Sequence, residues 1–191
     1  MSVIIKPHDP AWIIEFQENK KILENILSNV PYSSIEHVGS TSVPGLFAKP
    51  VLDIVIIIQP QYLTRADAAL DAAGYTPLGD LGTPDRYVFR QPGYRKEEQA
   101  NGEPGHNGEM RRNTYVGIEG SIAVRNHIDV RNMLRDNEEL RREYGEVKRK
   151  MVEGRVKNVD EYSEGKSEVV IKILQKAGWS EEDLDVVKGR N

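Results

Sequence analysis

Two small residues and an aspartate are the first candidates for chemistry in this 191-residue chain. Ser34-Ile35-Glu36-His37-Val38 reads as a short strand that runs into Gly39-Ser40-Thr41-Ser42, a turn of small residues opening a short helical segment. Thirteen residues after Ser40, Asp53 stands inside Val51–Ile58, the most apolar run of the chain. A carboxylate in such a run is expensive unless it is paired, protonated or bound to a cation. A Gly-Ser turn at a helix start offers backbone N–H groups and a hydroxyl, a natural seat for phosphate oxygens. Together they describe a phosphate cradle beside a candidate metal ligand. The plainer alternative is an aspartate near a strand end that is satisfied by backbone donors.

The elements that must hold these residues follow from pattern. Val3-Ile4-Ile5 is strand-like, and Asp9-Pro10 reads as N-cap and first position of a helix carrying Trp12, Ile13, Phe16, Ile22, Leu23, Ile26 and Leu27. Val51–Ile58 is rich in β-branched residues and bounded by Pro50 and Pro60, which predicts an interior strand. A short helix over 64–73 ends at Gly74, Arg86–Arg90 alternates like a strand, and the Gly-rich stretch 91–109 reads as a long hairpin loop. Asn113–Ile118 is a further strand, and Gly120-Ser121 turns into a helix ending near Arg135. Asp136 with Glu139 resembles a capping box for a charged helix to about Met151, and a last helix spans about 160–176 before Gly178. These patterns predict an α/β (α+β) architecture: a mixed β-sheet flanked by helices, with C-terminal helices, in one domain over 1–178 and an acidic tail over 179–191 that frays.

A resemblance sharpens this. Ile35-Glu36-His37-Val38-Gly39-Ser40-Thr41-Ser42-Val43-Pro44-Gly45-Leu46, followed by Ala48-Lys49-Pro50-Val51-Leu52-Asp53-Ile54, resembles the signature of the GrpB family within the nucleotidyltransferase superfamily. Asp9-Pro10-Ala11-Trp12 with Phe16, Gly120-Ser121, Arg131-Asn132-Met133-Leu134-Arg135, Tyr144 with Lys148 and Tyr162 with Lys166 are similar to further family positions. The resemblance implies a nucleotidyltransferase-type fold. It also implies that Gly39, Ser40, Thr41, Lys49, Lys148 and Lys166 bind phosphate or substrate, and that Asp53 is catalytic and holds Mg²⁺. In the superfamily pattern two acidic residues at i and i+2 share a strand face, a third stands on a neighbouring strand, and two metal ions serve the triphosphate. This chain departs from the pattern. Position 55 is Val55, Asn113-Thr114-Tyr115 replaces a His-x-His strand, and Asn132 replaces an aspartate. Glu36 and Glu119 are the candidates for a missing carboxylate, with His37, Asn113 and Tyr115 as possible accessory groups.

Other residues carry two readings each. Arg111 and Arg112 open the strand nearest the presumed site and are candidates for anion binding. His37 is read as a hydrogen-bonded structural residue with a base or phosphate contact as the alternative, and His127 as a surface residue. Lys148 and Lys166 each follow a tyrosine by four positions, which by itself fits an ordinary surface pair. The formal charge of -4 argues against a generic nucleic-acid binder, and the lack of cysteine removes disulfides, thiolate nucleophiles and Cys-based zinc sites. No basic-then-apolar leader and no membrane-length apolar run is present, so a cytoplasmic setting is expected. Two functions follow. One is metal-dependent nucleotidyl transfer to a small molecule or other acceptor, with a nucleoside triphosphate as substrate. The other is a small-molecule enzyme or binding module that reuses the pocket without such transfer.

Overall fold

The architecture is known from a computed structural model that describes residues 4–94, 103–153 and 166–189. Five strands form one mixed sheet: β1 (Ser34–Val38), β2 (Val51–Ile58), β3 (Thr76–Pro77), β4 (Arg86–Arg90) and β5 (Arg111–Ile118). Their spatial order is β1-β2-β5-β4-β3, with β2 and β5 parallel and the other pairs antiparallel. The apolar run Val51–Ile58 therefore lies inside the sheet, as its composition predicts, with a strand hydrogen-bonded along each side.

Alternation along β2 assigns its two faces. Leu52, Ile54, Ile56 and Ile58 enter the main core with Ile35, Phe89 and Val116, covered by α1 (Ala11–Ile26) and α2 (Leu63–Ala72). Asp53, Val55 and Ile57 point the other way, where Val55 and Ile57 pack with Val38 under Val124 of α3 (Ile122–Asp136). Gly117 of β5 makes that approach possible: a Cβ there would overlap the Val124 side chain. Ser121 caps α3 by accepting the Val124 N–H at 3.3 Å. A third layer consists of α4 (Glu138–Glu153) and α5 (Ser167–Lys176), joined through Leu134, Leu140, Tyr144, Val169 and Ile173, with Val43 and Leu46 from the segment before β2.

Several local expectations are corrected. Ile4 and Ile5 form no strand; the chain there makes a single bridge between Lys6 and Ala48, and Val3 lies outside the described residues. In α1 the buried stripe is Trp12, Phe16, Asn19 and Leu23, while Ile13 and Ile22 face solvent. Asn19 is tolerated there because its amide donates to the Glu15 carbonyl at 2.8 Å. The α4 cap is Asn137, whose side chain accepts the Leu140 N–H at 3.0 Å, one residue later than the Asp136 box. The described part of the penultimate helix begins at Ser167; residues 160–165, including Tyr162, lie outside the described residues.

Among the described residues the acidic segment after Gly178 is helical and packed. Glu181–Lys188 forms α6, capped by Ser180, and buries Leu184 and Val187 against Leu174 and Trp179. The Trp179 indole N–H donates to Asp129 at 2.7 Å, Arg125 lies 4.5 Å from the Trp179 ring centroid, and Arg125 pairs with Asp183 at 3.0 Å. Truncating a fully buried leucine costs about 2–5 kcal/mol. Leu184→Ala should therefore lower the unfolding free energy measured in urea by about 2–5 kcal/mol, whereas a fraying tail would leave it unchanged.

Candidate functional site

The site begins where β1 ends. Val38 pairs with Asp53 at the last register position of β1 and β2, and the next residue, Gly39, has φ +67°. That left-handed backbone is strained for any side chain, and here there is no room for one: a Cβ on Gly39 would overlap Asp53 Oδ2 and lie 2.9 Å from its Cγ. The chain thus leaves β1 directly over the carboxylate and enters a 3₁₀ turn at Ser40–Ser42. Three contacts fix the turn. Ser42 Oγ donates to the Gly39 carbonyl at 2.6 Å, and the Arg135 guanidinium clamps the Ser42 carbonyl with Nε at 3.0 Å and Nη2 at 2.8 Å.

Beneath the turn, Thr41 is buried and donates its hydroxyl proton to the Val51 carbonyl at 3.3 Å, so it accepts from His37 Nε2 at 3.0 Å. The His37 ring stacks on Phe16 with centroids 4.7 Å apart. Burial pushes its pKa down to about 4 against the pull of Asp53, with Arg135 and Arg131 adding to the drop. His37 is therefore a neutral structural group, and the Thr41 side chain faces it rather than a ligand.

Asp53 itself meets β5. The Asn113 amide donates to Oδ1 at 2.9 Å and the Tyr115 hydroxyl to the same oxygen at 3.3 Å. Burial and the Asp53 charge hold the Tyr115 phenol far above its ordinary pKa, so it remains a donor. Tyr115 is sandwiched: His127 stacks on it at 5.4 Å and Arg86 lies 5.0 Å from its centroid.

Above these groups is a cavity of about 260 Å³, just under the size range of pockets for drug-sized ligands. Gly39, Ser40, Asp53 and Lys166 form its polar side, and Val130, Leu134, Tyr144 and Val170 form an apolar wall. Gly39, Ser40 and Asp53 therefore share one cavity, as the motif predicts, and Lys166 lines it with them. Lys148 does not line the cavity. Its side chain is 1% exposed, its ammonium donates to the Phe47 carbonyl at 2.5 Å, and it sits 5.4 Å from the Tyr144 ring centroid. Burial pushes the Tyr144 pKa up to about 12, with Ser40 opposing the rise.

Three lysines feel this one carboxylate. Burial lowers the pKa of Lys49, of Lys166 and, most strongly, of Lys148, and Asp53 opposes the drop in each. Lys166 also depresses Lys49 and Lys148.

Other expected residues are elsewhere. Arg111 is buried with its guanidinium 3.5 Å from the Tyr94 ring centroid and lines a separate small cavity with Leu78 and Arg90. Arg112 approaches Glu109 at 3.7 Å. Glu36 is paired with Arg131 at 2.7 Å; burial would raise its pKa, but the hydrogen bonds from Arg131 and Ser34 hold it below the carboxylate range. Glu119 is exposed beyond the end of β5, six positions past Asn113, or about 20 Å along the strand. Neither glutamate supplies the missing carboxylate. Val55 shares the Asp53 face but is enclosed by Val38, Ile57 and Val124. No cluster of three His, Asp or Glu residues suited to a metal occurs among the described residues. A pair of magnesium ions needs several oxygen ligands, so this donor set does not fit it.

Sequence reasoning missed His127 and Arg131. His127 is not a surface residue: it lines the cavity, partly buried, with its pKa pushed down by burial to about 4 while Asp53 opposes the shift. Arg131 joins Glu36 to the His37 carbonyl, at 2.7 and 3.1 Å, and also lines the cavity. The spacing 127, 130, 131, 134 marks one face of α3, but the same spacing marks any core stripe.

With the geometry in hand, comparison with known proteins is informative. The family model described as GrpB protein matches residues 2–176. The UPF0157 protein BH1888 of Halalkalibacterium halodurans is 31% identical over 92% of this chain and 83% of its own length. The crystal structure of a conserved GrpB protein from Enterococcus faecalis superposes with a TM-score of 0.72 at 23% identity, covering 92% of this chain and 100% of that one. A fainter overlap, TM-score 0.43 at 11% identity over 75% of this chain and 45% of that one, is found with the Cid1 poly(U) polymerase with MgGTP bound; it is too slight to carry an argument about activity.

Gly39→Ala should cost more than about 2 kcal/mol, from left-handed strain plus the collision with Asp53. Asp53→Ala in the same chain removes the Oδ2 and Cγ overlaps, leaving the residue 53 Cβ 3.0 Å away, but not the strain. The double variant should therefore be more stable than the sum of the single losses by at least about 0.5 kcal/mol in chemical denaturation. Strict additivity would mean that the turn does not rest on the carboxylate.

Proposed function

The chain belongs to the GrpB family, and from that premise we propose that its Asp53 cavity binds a small phosphate-bearing molecule, with a nucleoside phosphate as the candidate that the resemblance to nucleotidyltransferases suggests. The observation that carries the proposal is that Gly39, Ser40, Asp53 and Lys166 line one cavity; the charge of that carboxylate also acts on Lys49, Lys148 and Lys166. They arrive from three places: the segment before β2, the middle of α4 and the N-terminal end of α5. Ammonium groups are compact donors suited to phosphate oxygens, and a hydroxyl at a turn adds a directed contact. Ser40 and Lys166 contact the phosphates, Lys49 and Lys148 add positive field, and Tyr144 with Val130, Leu134 and Val170 packs the organic part. Thr41 and Arg111 have no part in it, because their side chains are engaged away from the cavity.

Metal-dependent nucleotidyl transfer is the second candidate that the resemblance implies, and the single carboxylate counts against it. A cytoplasmic setting, where phosphate-bearing metabolites are abundant, belongs to the same proposal. No helix among the described residues is long and apolar enough to cross a membrane. Calorimetric titration with ATP and with tripolyphosphate tests the proposal. Saturable binding is expected, weakened on the order of tenfold in Lys166→Gln through loss of a charge-assisted contact. Absence of binding to either probe would remove it.

Lys148 allows a separate check through stability. Its folded pKa is depressed well below the ordinary 10.5 by burial, so at neutral pH the unfolded chain holds this proton more readily than the folded one. The penalty vanishes only as pH rises toward 10.5, where both states are neutral. Lys148→Met keeps the volume and removes the buried amine. It should raise stability at pH 7 by about 1 kcal/mol and weaken phosphate binding at the same time. The stability gain should shrink as the pH is raised toward 10. A variant both less stable and equally tight would show the amine to be purely structural.

A further inference from the structure

A second cavity, of about 470 Å³, is bounded by α1, β1, the segment of Ser42 and Pro44, and arginines of α3 and α4. We infer that it binds a small organic anion, a carboxylate or phosphate carried on an apolar body, at a site separate from the Asp53 cavity. Among the described residues the two cavities share only Arg131. The volume lies within the range of about 300–1,000 Å³ usual for small-molecule sites. Arg131, Arg135, Arg141 and Lys20 supply its positive groups. Its apolar side is made by Ile13, Phe16, Ile35 and Pro44. Phe16 and Ile35 are buried, whereas Ile13 is 41% exposed, so the apolar body of a ligand would cover it.

The four cations are not equivalent. Arg131 is neutralised by Glu36 at 2.7 Å, and Lys20 lies 4.0 Å from Glu24. Arg135 and Arg141 are bonded only to neutral carbonyls among the described residues. Arg135 grips the Ser42 carbonyl through Nε and Nη2, and Arg141 donates Nη1 to the carbonyls of Leu134 and Arg135 at 3.2 and 3.1 Å. Nη1 of Arg135, with Nε and Nη2 of Arg141, has no hydrogen-bond partner among those residues. Asp136 acts on the Arg135 charge but makes no ion pair with it. Both guanidinium groups are thus fixed by the fold, permanently charged and left with unused donors. Such a fork matches the paired oxygens of a carboxylate or phosphate, and its prior ordering lowers the cost of binding. The chain as a whole carries a formal charge of -4, so attraction for an anion has to come from a local arrangement of this kind.

Phenyl phosphate and benzoate, titrated separately into the ¹⁵N-labelled full chain and followed by amide chemical shifts, test the site, with phenol as the neutral control. Saturable shifts at Ile13, Gln17 and Ile35 are expected with at least one of the two anions, and the tighter of them identifies the head group. Phenol should bind at least about tenfold more weakly, since it lacks the charge-assisted contacts. Ile13→Glu places a negative charge at an exposed wall position and should weaken anion binding on the order of tenfold without disturbing the core. Arg141→Gln removes one fork and should weaken it by a similar factor. Shifts confined to Ser40, His127 and Val170 would put the anion in the Asp53 cavity alone and overturn the inference. So would phenol binding as tightly as the anions, anion binding unchanged in Ile13→Glu, or no shift with either anion. None of these results bears on whether ATP binds beside Asp53.

Discussion

The contact between the bare α-carbon of Gly39 and the carboxylate of Asp53 is the constraint on which the site depends. Because position 39 carries no side chain and takes a left-handed conformation, the backbone can cross directly over Asp53 as it leaves β1. That crossing brings the Ser40 hydroxyl to the rim of the cavity and sets the direction of the turn. Groups from distant parts of the chain then hold the turn from both sides. Arg135 of α3 clamps its last carbonyl from above, and the His37–Thr41–Val51 chain supports it from below, with Phe16 of α1 under the imidazole. A small change at position 39 would therefore be felt in three layers.

Strand alternation accounts for how one element serves both core and site. On one face of β2 four aliphatic side chains are sealed by α1 and α2. On the other, Val55 and Ile57 are sealed by α3, and Asp53 stands one step earlier, where the helix layer gives way to the cavity. The carboxylate is therefore bordered by core along the strand and open only toward the lysines. The same alternation removes Arg111. It shares the face of Asn113, but two residues earlier along β5 it has already reached the neighbouring small cavity, where it stacks on Tyr94.

How much of this was legible in the sequence depended on whether period and chemistry agreed. They agreed in β2, where a β-branched run between prolines could only be an interior strand, and in the Gly39–Ser40 turn, where small residues preceded a costly aspartate. They disagreed in α4, where Leu140, Tyr144 and Lys148 recur every four residues and form the inward stripe, but a lysine at the end of such a stripe reads as surface. In α1 either flank of the apolar stripe fits a 3.6-residue period, and only packing decides that Asn19 is inside and Ile22 outside. The acidic residues of α6 concealed a short apolar stripe, Leu184 and Val187, whose partner Trp179 lies before the helix begins. His127 looked like surface because its neighbours in sequence are polar; its partner, Tyr115, is on another element.

The buried lysines are the least economical feature of the molecule, and their energetics bind site and fold together. Each loses solvation on folding, and the Asp53 charge opposes the resulting pKa drop in each. Lys148 gains one further contact, the Phe47 carbonyl, which is little against the desolvation of an ammonium group. On the phosphate-pocket proposal, a polyanion entering the cavity would add to that compensation. By linkage it would raise the lysine pKa values, so that its binding draws in protons wherever a lysine is partly neutral in the empty pocket.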